Sequence, residues 1–193
     1  MILMKAFLRV GIVFCCLLLA TRLSAQDSNS PQQPTPTCIS EYDDLIKAEA
    51  KKIGWDWRLL ASIIYQESRF KPDLVNHKGA FGLMQLMPLT MKKYQITYES
   101  SVEEQLEAGG KLLVHLDHKL SDVVTDSLER INFVLASYNA GMSRVMTFRE
   151  RALNNGDNPN VWVDNVERYS PKQTFLFVKE VIERFAHYKT IVK

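Results

Sequence analysis

The chain of 193 residues is 46% hydrophobic and 24% charged, with eight glycines and seven prolines. These proportions fit one globular domain, two at most, and exclude collagen-like, mucin-like and wholly disordered chains. With 24 Lys and Arg against 22 Asp and Glu, no broad basic field marks a nucleic-acid binder, and three cysteines are too few for a disulfide scaffold.

Met1–Arg9 carries Lys5 and Arg9 and no acid, Val10–Ala20 is an unbroken run of apolar and small residues, and a short segment ends in the small residue Ala25. This is the layout of a secretory signal peptide over residues 1–25, with cleavage after Ala25. At about 1.5 Å rise per residue the run falls well short of a ~30 Å hydrocarbon core, which disfavours a membrane anchor. Bulky Val13 and Phe14 disfavour lipid attachment at Cys15 or Cys16. Removal of the leader leaves 21 basic against 22 acidic residues and Cys38 as the one cysteine, free or paired with another chain.

Gln26–Thr37 has three prolines and no large apolar residue, and reads as a flexible tether over residues 26–37. From Cys38 to Lys193 the pattern is helical, with no sustained alternation of period two. Ser40 and Asp43 resemble a capping box for a first helix whose face is Tyr42, Leu45, Ile46, Ala50 and Ile53, stopped by Gly54. Asp56 caps a second helix, Trp57–Ser68. Ser101 with Glu104 caps a third, with Val102, Leu106, Leu113, Leu116 and Leu120 in register. Asp126 with Glu129 caps a fourth, with Leu128, Ile131, Val134, Leu135 and Tyr138 as its core stripe. Ser170-Pro171 opens a last helix that buries Phe175, Val178, Val181, Ile182 and Phe185. The expected fold is a nearly all-α domain over residues 38–193.

Glu67 stands out in this pattern. Leu60, Ile63 and Ile64 precede it by seven, four and three residues, so all four share the core face of the second helix. One reading is a helix-end carboxylate that reaches water or pairs with Arg69 or Lys71. The other is a desolvated carboxyl with a raised pKa, able to act as a general acid near neutral pH, as glycosidic cleavage requires. A glycosidase ordinarily needs a second carboxylate. Asp73 is the nearest in sequence, and nothing directs it at Glu67.

The loop that follows, Asn76-His77-Lys78-Gly79-Ala80-Phe81-Gly82-Leu83-Met84-Gln85-Leu86-Met87-Pro88, sets one amide, Gln85, among apolar neighbours. Either this is a short amphipathic helix with Met84 and Met87 in the core, or a polar group placed to read an acetamido group or a sugar hydroxyl. Ser137-Tyr138-Asn139-Ala140-Gly141 then ends a helix with a natural C-cap.

Taken together, Glu67-Ser68, Gly79-Ala80-x-Gly82-Leu83-Met84-Gln85-Leu86-Met87-Pro88 and Tyr138-Asn139-Ala140-Gly141 resemble, in order and spacing, the lytic transglycosylase (soluble lytic transglycosylase-like) domain family. The segment Asp56–Ala61 leading to Tyr65-Gln66-Glu67-Ser68 is most similar to the catalytic domains of its membrane-bound members, without the solute-binding domain that precedes them. The resemblance covers roughly residues 42–188. It implies a mainly α, goose-type lysozyme-like fold with a substrate cleft, and a periplasmic or cell-envelope enzyme acting as a monomer on peptidoglycan glycan strands. It also implies cleavage of the β-1,4 bond between N-acetylmuramic acid and N-acetylglucosamine, with a 1,6-anhydro product. In this family one Glu serves as acid and then as base, so no second carboxylate, metal or cofactor is called for. Carried over by position, Glu67 is the catalytic residue, and Ser68, Asn76, Gln85, Met87, Tyr138, Asn139 and Phe177 are substrate-binding or supporting positions.

Two departures accompany the match. Asn76 stands where the family commonly has Ser. Phe177 stands where a Tyr hydroxyl approaches the acid, in a register that places Gln173 at a Glu position; Tyr169 is a candidate to restore the lost donor. Three other readings stay open: a hydrolase of the same fold, a non-catalytic peptidoglycan-binding module, and an accessory of a secretion or conjugation apparatus. His115 and His118 lack a third convergent ligand and read as a solvated helix face, and Arg144, Arg149 and Arg151 read as a small basic surface patch.

Overall fold

The computed structural model describes residues 38–193; the expected leader and tether lie outside the described residues. Among the described residues seven α-helices follow one another: α1 (Asp43–Ile53), α2 (Trp57–Ser68), α3 (Pro88–Tyr94), α4 (Val102–Ser121), α5 (Ser127–Ala140), α6 (Met142–Asn154) and α7 (Lys172–Ile191), with a 3-10 turn at Val166–Tyr169. Among the described residues there is no strand, only two antiparallel bridges, Val75–Phe81 and Phe81–Leu86. α2 packs on α7 and α1, α4 on α1 and α5, and α5 on α6 and α7. Leu60, Ile63 and Ile64 of α2, Leu113 and Leu120 of α4, and Phe133, Val134 and Leu135 of α5 are fully buried in one core.

The caps explain most helix limits. Asp56 accepts from the Arg58 amide, Gly54 takes left-handed backbone after α1, and Ser101 and Glu104 form the reciprocal box expected at α4. At α1 the expectation needs correction. The helix begins at Asp43, and Ser40 does not cap it; instead the buried Asp43 carboxylate accepts from the Ile39 and Ser40 amides and the Ser40 hydroxyl. At α5, Asp126 alone accepts from Leu128 and Glu129, which frees the Glu129 carboxylate to take the Trp162 amide at 2.9 Å. Leu128 is 77% exposed and leaves the core stripe, because a first-turn residue beside a solvated cap faces water; Phe133, stacked edge-on with Trp162 at 5.5 Å, fills that role.

Two helices are additional to the sequence reading. α3 starts on Pro88, whose fixed φ suits the first helical position. α6 begins directly after Gly141, which ends α5 and opens α6 as one residue; Val145, Phe148 and Ala152 are its buried face. In α7, Thr174, Phe177, Val178, Val181 and Tyr188 are buried, while Phe175 is only half-buried.

Candidate active site

Glu67 closes the last turn of α2 with Leu60, Ile63 and Ile64, all at zero exposure, along the same face. Its carboxyl is half-buried and has no hydrogen-bond partner among the described residues, and burial alone pushes it up to about 8. Neither Arg69 nor Lys71 neutralises it: Arg69 bonds the Tyr65 hydroxyl instead. Asp73 is exposed and bears electrostatically on Tyr42 at the start of α1, with no part in the Glu67 shift. The arrangement is one apolar-flanked acid that is largely protonated at pH 7.

The loop between α2 and α3 is not a helix. Phe81 and Leu86 exchange both backbone hydrogen bonds around a tight turn, and the Gly82 amide donates to Leu74 at 2.9 Å. Gly82 has φ +79°, and the Gln105 carboxamide fills the place of a Cβ. That buried Gln105 takes the Leu83 amide at 2.9 Å and gives its own amide to Ser100. Gln105 escaped the sequence reading; the signal was an amide one position before the Leu106 register, on a turn that then has to face a polar loop. Met84 is fully buried against Gly109 of α4, where a Cβ would overlap the thioether. Met87, by contrast, is 45% exposed, so the two methionines differ in role.

The remaining site positions are held mostly by backbone. Gln85, at φ +45°, donates its amide to the carbonyls of Leu74 (2.9 Å) and Gly82 (3.0 Å), leaving its side-chain oxygen as an acceptor. Asn76 accepts from the Lys78 and Ala80 amides at 2.8 and 3.1 Å, so it orders its own turn. Ser68 is buried and donates back to the Ile64 carbonyl.

α5 supplies two adjacent anchors. The Tyr138 hydroxyl donates to the Met84 carbonyl at 2.6 Å, and its proton is held well above the usual phenol range by burial first and by Glu67 second, which brings Tyr138 and Glu67 into one electrostatic neighbourhood. Asn139 accepts from the Thr174 hydroxyl of α7 at 3.0 Å. Phe177 lies one turn beyond Thr174, 6% exposed in the core. Tyr169 does not restore a donor here, since its hydroxyl is bonded to Asp157 at 2.7 Å.

Two peripheral readings resolve as follows. Arg149 is not part of a surface patch: its guanidinium donates to the carbonyls of Pro159 and Val123 and to the Asn160 side chain, clipping loops together. His115 and His118 line an open groove between α1 and α4 with Glu49, Lys52, Glu107 and Lys111.

Comparison with known proteins gives a consistent picture. The family described as Transglycosylase SLT domain matches residues 44–161. Among curated relatives, membrane-bound lytic murein transglycosylase F of Desulfosudis oleivorans is 37% identical over 65% of this chain and 28% of its own length. Its namesake from Aeromonas salmonicida is 34% identical over 72% of this chain and 27% of its own. The chain thus spans little more than a quarter of these relatives. Among solved structures, the 70 kDa soluble lytic transglycosylase of Escherichia coli superposes with a TM-score of 0.60 at 28% identity, over 77% of this chain and 24% of that one. The Pseudomonas aeruginosa lytic transglycosylase Slt, solved as an inactive mutant, gives 0.60 at 24% identity over 81% and 24%.

Proposed function

Because the chain belongs to the transglycosylase SLT domain family, we propose that it is a peptidoglycan lytic transglycosylase that cleaves the β-1,4 bond between N-acetylmuramic acid and N-acetylglucosamine. The observation that carries the reading is the unpaired, desolvated Glu67 carboxyl, raised to about 8 and so protonated in the resting state at neutral pH.

Protonated Glu67 gives its proton to the bridging oxygen as the C1–O4 bond breaks, and N-acetylglucosamine departs with a free 4-hydroxyl. The resulting carboxylate then takes the proton of the muramic acid 6-hydroxyl while O6 bonds to C1. The product is 1,6-anhydromuramic acid, no water is consumed, and Glu67 ends protonated as it began. One acid suffices because the nucleophile belongs to the substrate. Among the described residues no other carboxylate contributes to the rise of Glu67, which supports this, since a like charge would raise the cost of the intermediate carboxylate.

The loop holding Gln85 and Met87 and the α5 turn holding Tyr138 and Asn139 are assigned to the substrate cleft. Export to the periplasm or cell envelope and action as a monomer belong to the same reading, and an envelope or secretion apparatus is a partner compatible with it. The purified protein is expected to release 1,6-anhydromuropeptides from sacculi, and Glu67→Gln to lose this. Mass spectrometry decides: reducing-end products would replace the proposal by hydrolysis, and binding without products by a non-catalytic module.

A further inference from the structure

The turn that closes α2 is made by Arg69 and Phe70, two successive residues in left-handed backbone at φ 52° and φ 60°. Residues with a Cβ disfavour that conformation, and glycine ordinarily occupies the position after a helix. Both side chains close on Tyr65. Arg69 donates to the Tyr65 hydroxyl at 2.7 Å with its guanidinium 5.1 Å from the ring centroid, and the Phe70 ring meets Tyr65 edge-on at 5.9 Å. From α7, the Arg184 guanidinium stacks 3.7 Å from the same centroid, between Tyr65 and Tyr188, and its buried Nε has no hydrogen-bond partner. One residue on, Gln66 donates to Glu180 of α7 at 2.6 Å. At about 100° per residue, Tyr65 and Glu67 point to nearly opposite sides of α2.

We propose that Tyr65, clasped by Arg69, Phe70 and Arg184, is a positioning residue that fixes the roll of the last turn of α2 against α7 and so holds Glu67 in its apolar place. Nothing in the clasp touches the carboxyl; it acts through the helix. The titratable and charged groups around the turn are Arg69 and Arg184 on Tyr65, Tyr188 beside Arg184, and Glu180 on Gln66, while Glu67 bears on Tyr138 of α5. The kinetic consequence rests on the functional reading above; the positional one does not.

The test combines a 13C-carboxyl NMR titration of Glu67 with pH profiles of product release for wild type, Tyr65→Leu, Tyr65→Phe and Arg69→Gly. A loosened turn admits water, so in Tyr65→Leu the Glu67 titration moves down from about 8 toward the ordinary carboxylate range, and the alkaline limb of activity follows. kcat falls on the order of ten- to a hundredfold with KM within about twofold. Tyr65→Phe keeps the ring and loses the Arg69 bond, and shifts less in the same direction. Arg69→Gly relieves the left-handed backbone and removes the guanidinium together; it melts no lower than wild type, yet Glu67 titrates lower. Folded Tyr65→Leu with a wild-type titration and profile overturns the inference. Should Tyr65→Leu not fold, an unchanged titration in Tyr65→Phe and Arg69→Gly does the same. A wild type that releases no anhydro product defeats the functional reading, and the titration alone then decides the positional one.

Discussion

Replacing Glu67 by Gln should make the protein more stable, by an amount that grows with pH. In the folded chain Glu67 titrates near 8, against 4.5 for an ordinary glutamate. The folded state therefore binds the proton more tightly than the unfolded state. Its stabilising contribution is fully present below about 4.5 and is lost as pH rises through about 8. Each pH unit inside that window is worth about 1.4 kcal/mol, so at pH 7 wild type has lost up to about 3 kcal/mol relative to a side chain that cannot ionise. That figure is a ceiling, because the carboxyl keeps some contact with solvent. Urea unfolding of wild type and Glu67→Gln in steps from pH 4.5 to 8 isolates the effect, since every other titrating group cancels in the difference. The expected gap is small at pH 4.5 and reaches a few kcal/mol at pH 7. A gap that stays constant across the range would show that Glu67 is solvated or paired, and the argument for a resting general acid would fail with it.

Tyr138→Phe removes the donor on the Met84 carbonyl and should cost about 1–3 kcal/mol, read from thermal or urea unfolding, with product release falling as the loop loosens. Gly82→Ala forces a Cβ into the Gln105 carboxamide at positive φ and should destabilise by more than about 1 kcal/mol in urea; a neutral result would mean that Gln105 does not define the loop. Phe177→Tyr returns a hydroxyl to a buried position one turn from Thr174 and should raise the rate of anhydromuropeptide release; an unchanged rate removes Phe177 from the site.

Much of this was legible in the residues because it depends on local rules. The α2 limits follow from Asp56 and the apolar spacing, and Glu67 announces itself by breaking that spacing with a carboxylate. What the sequence hides is which partner each polar side chain takes. Gln85, Asn76 and Ser68 look like free polar groups in a sequence, yet backbone partners two to eleven residues away take the Gln85 amide, the Asn76 oxygen and the Ser68 hydroxyl proton. Arg149 looked like surface charge and proved to be a clip, because only the fold brings Val123, Pro159 and Asn160 to one guanidinium. α6 carries a weak sequence signal because charged and polar residues dilute its apolar stripe, although Val145, Phe148 and Ala152 stand at helical spacing.

Tyr138 and Asn139 are neighbours in sequence, about 100° apart on α5, and they grip different structures: the Met84 carbonyl in the loop and the Thr174 hydroxyl in α7. The loop and α7 are therefore both referenced to a single helical turn. Substitutions in the loop and in α7 should show energetic coupling in a double-mutant cycle, because each perturbs the same turn from a different direction. Sequence drift in the loop would then restrict what α7 can accept.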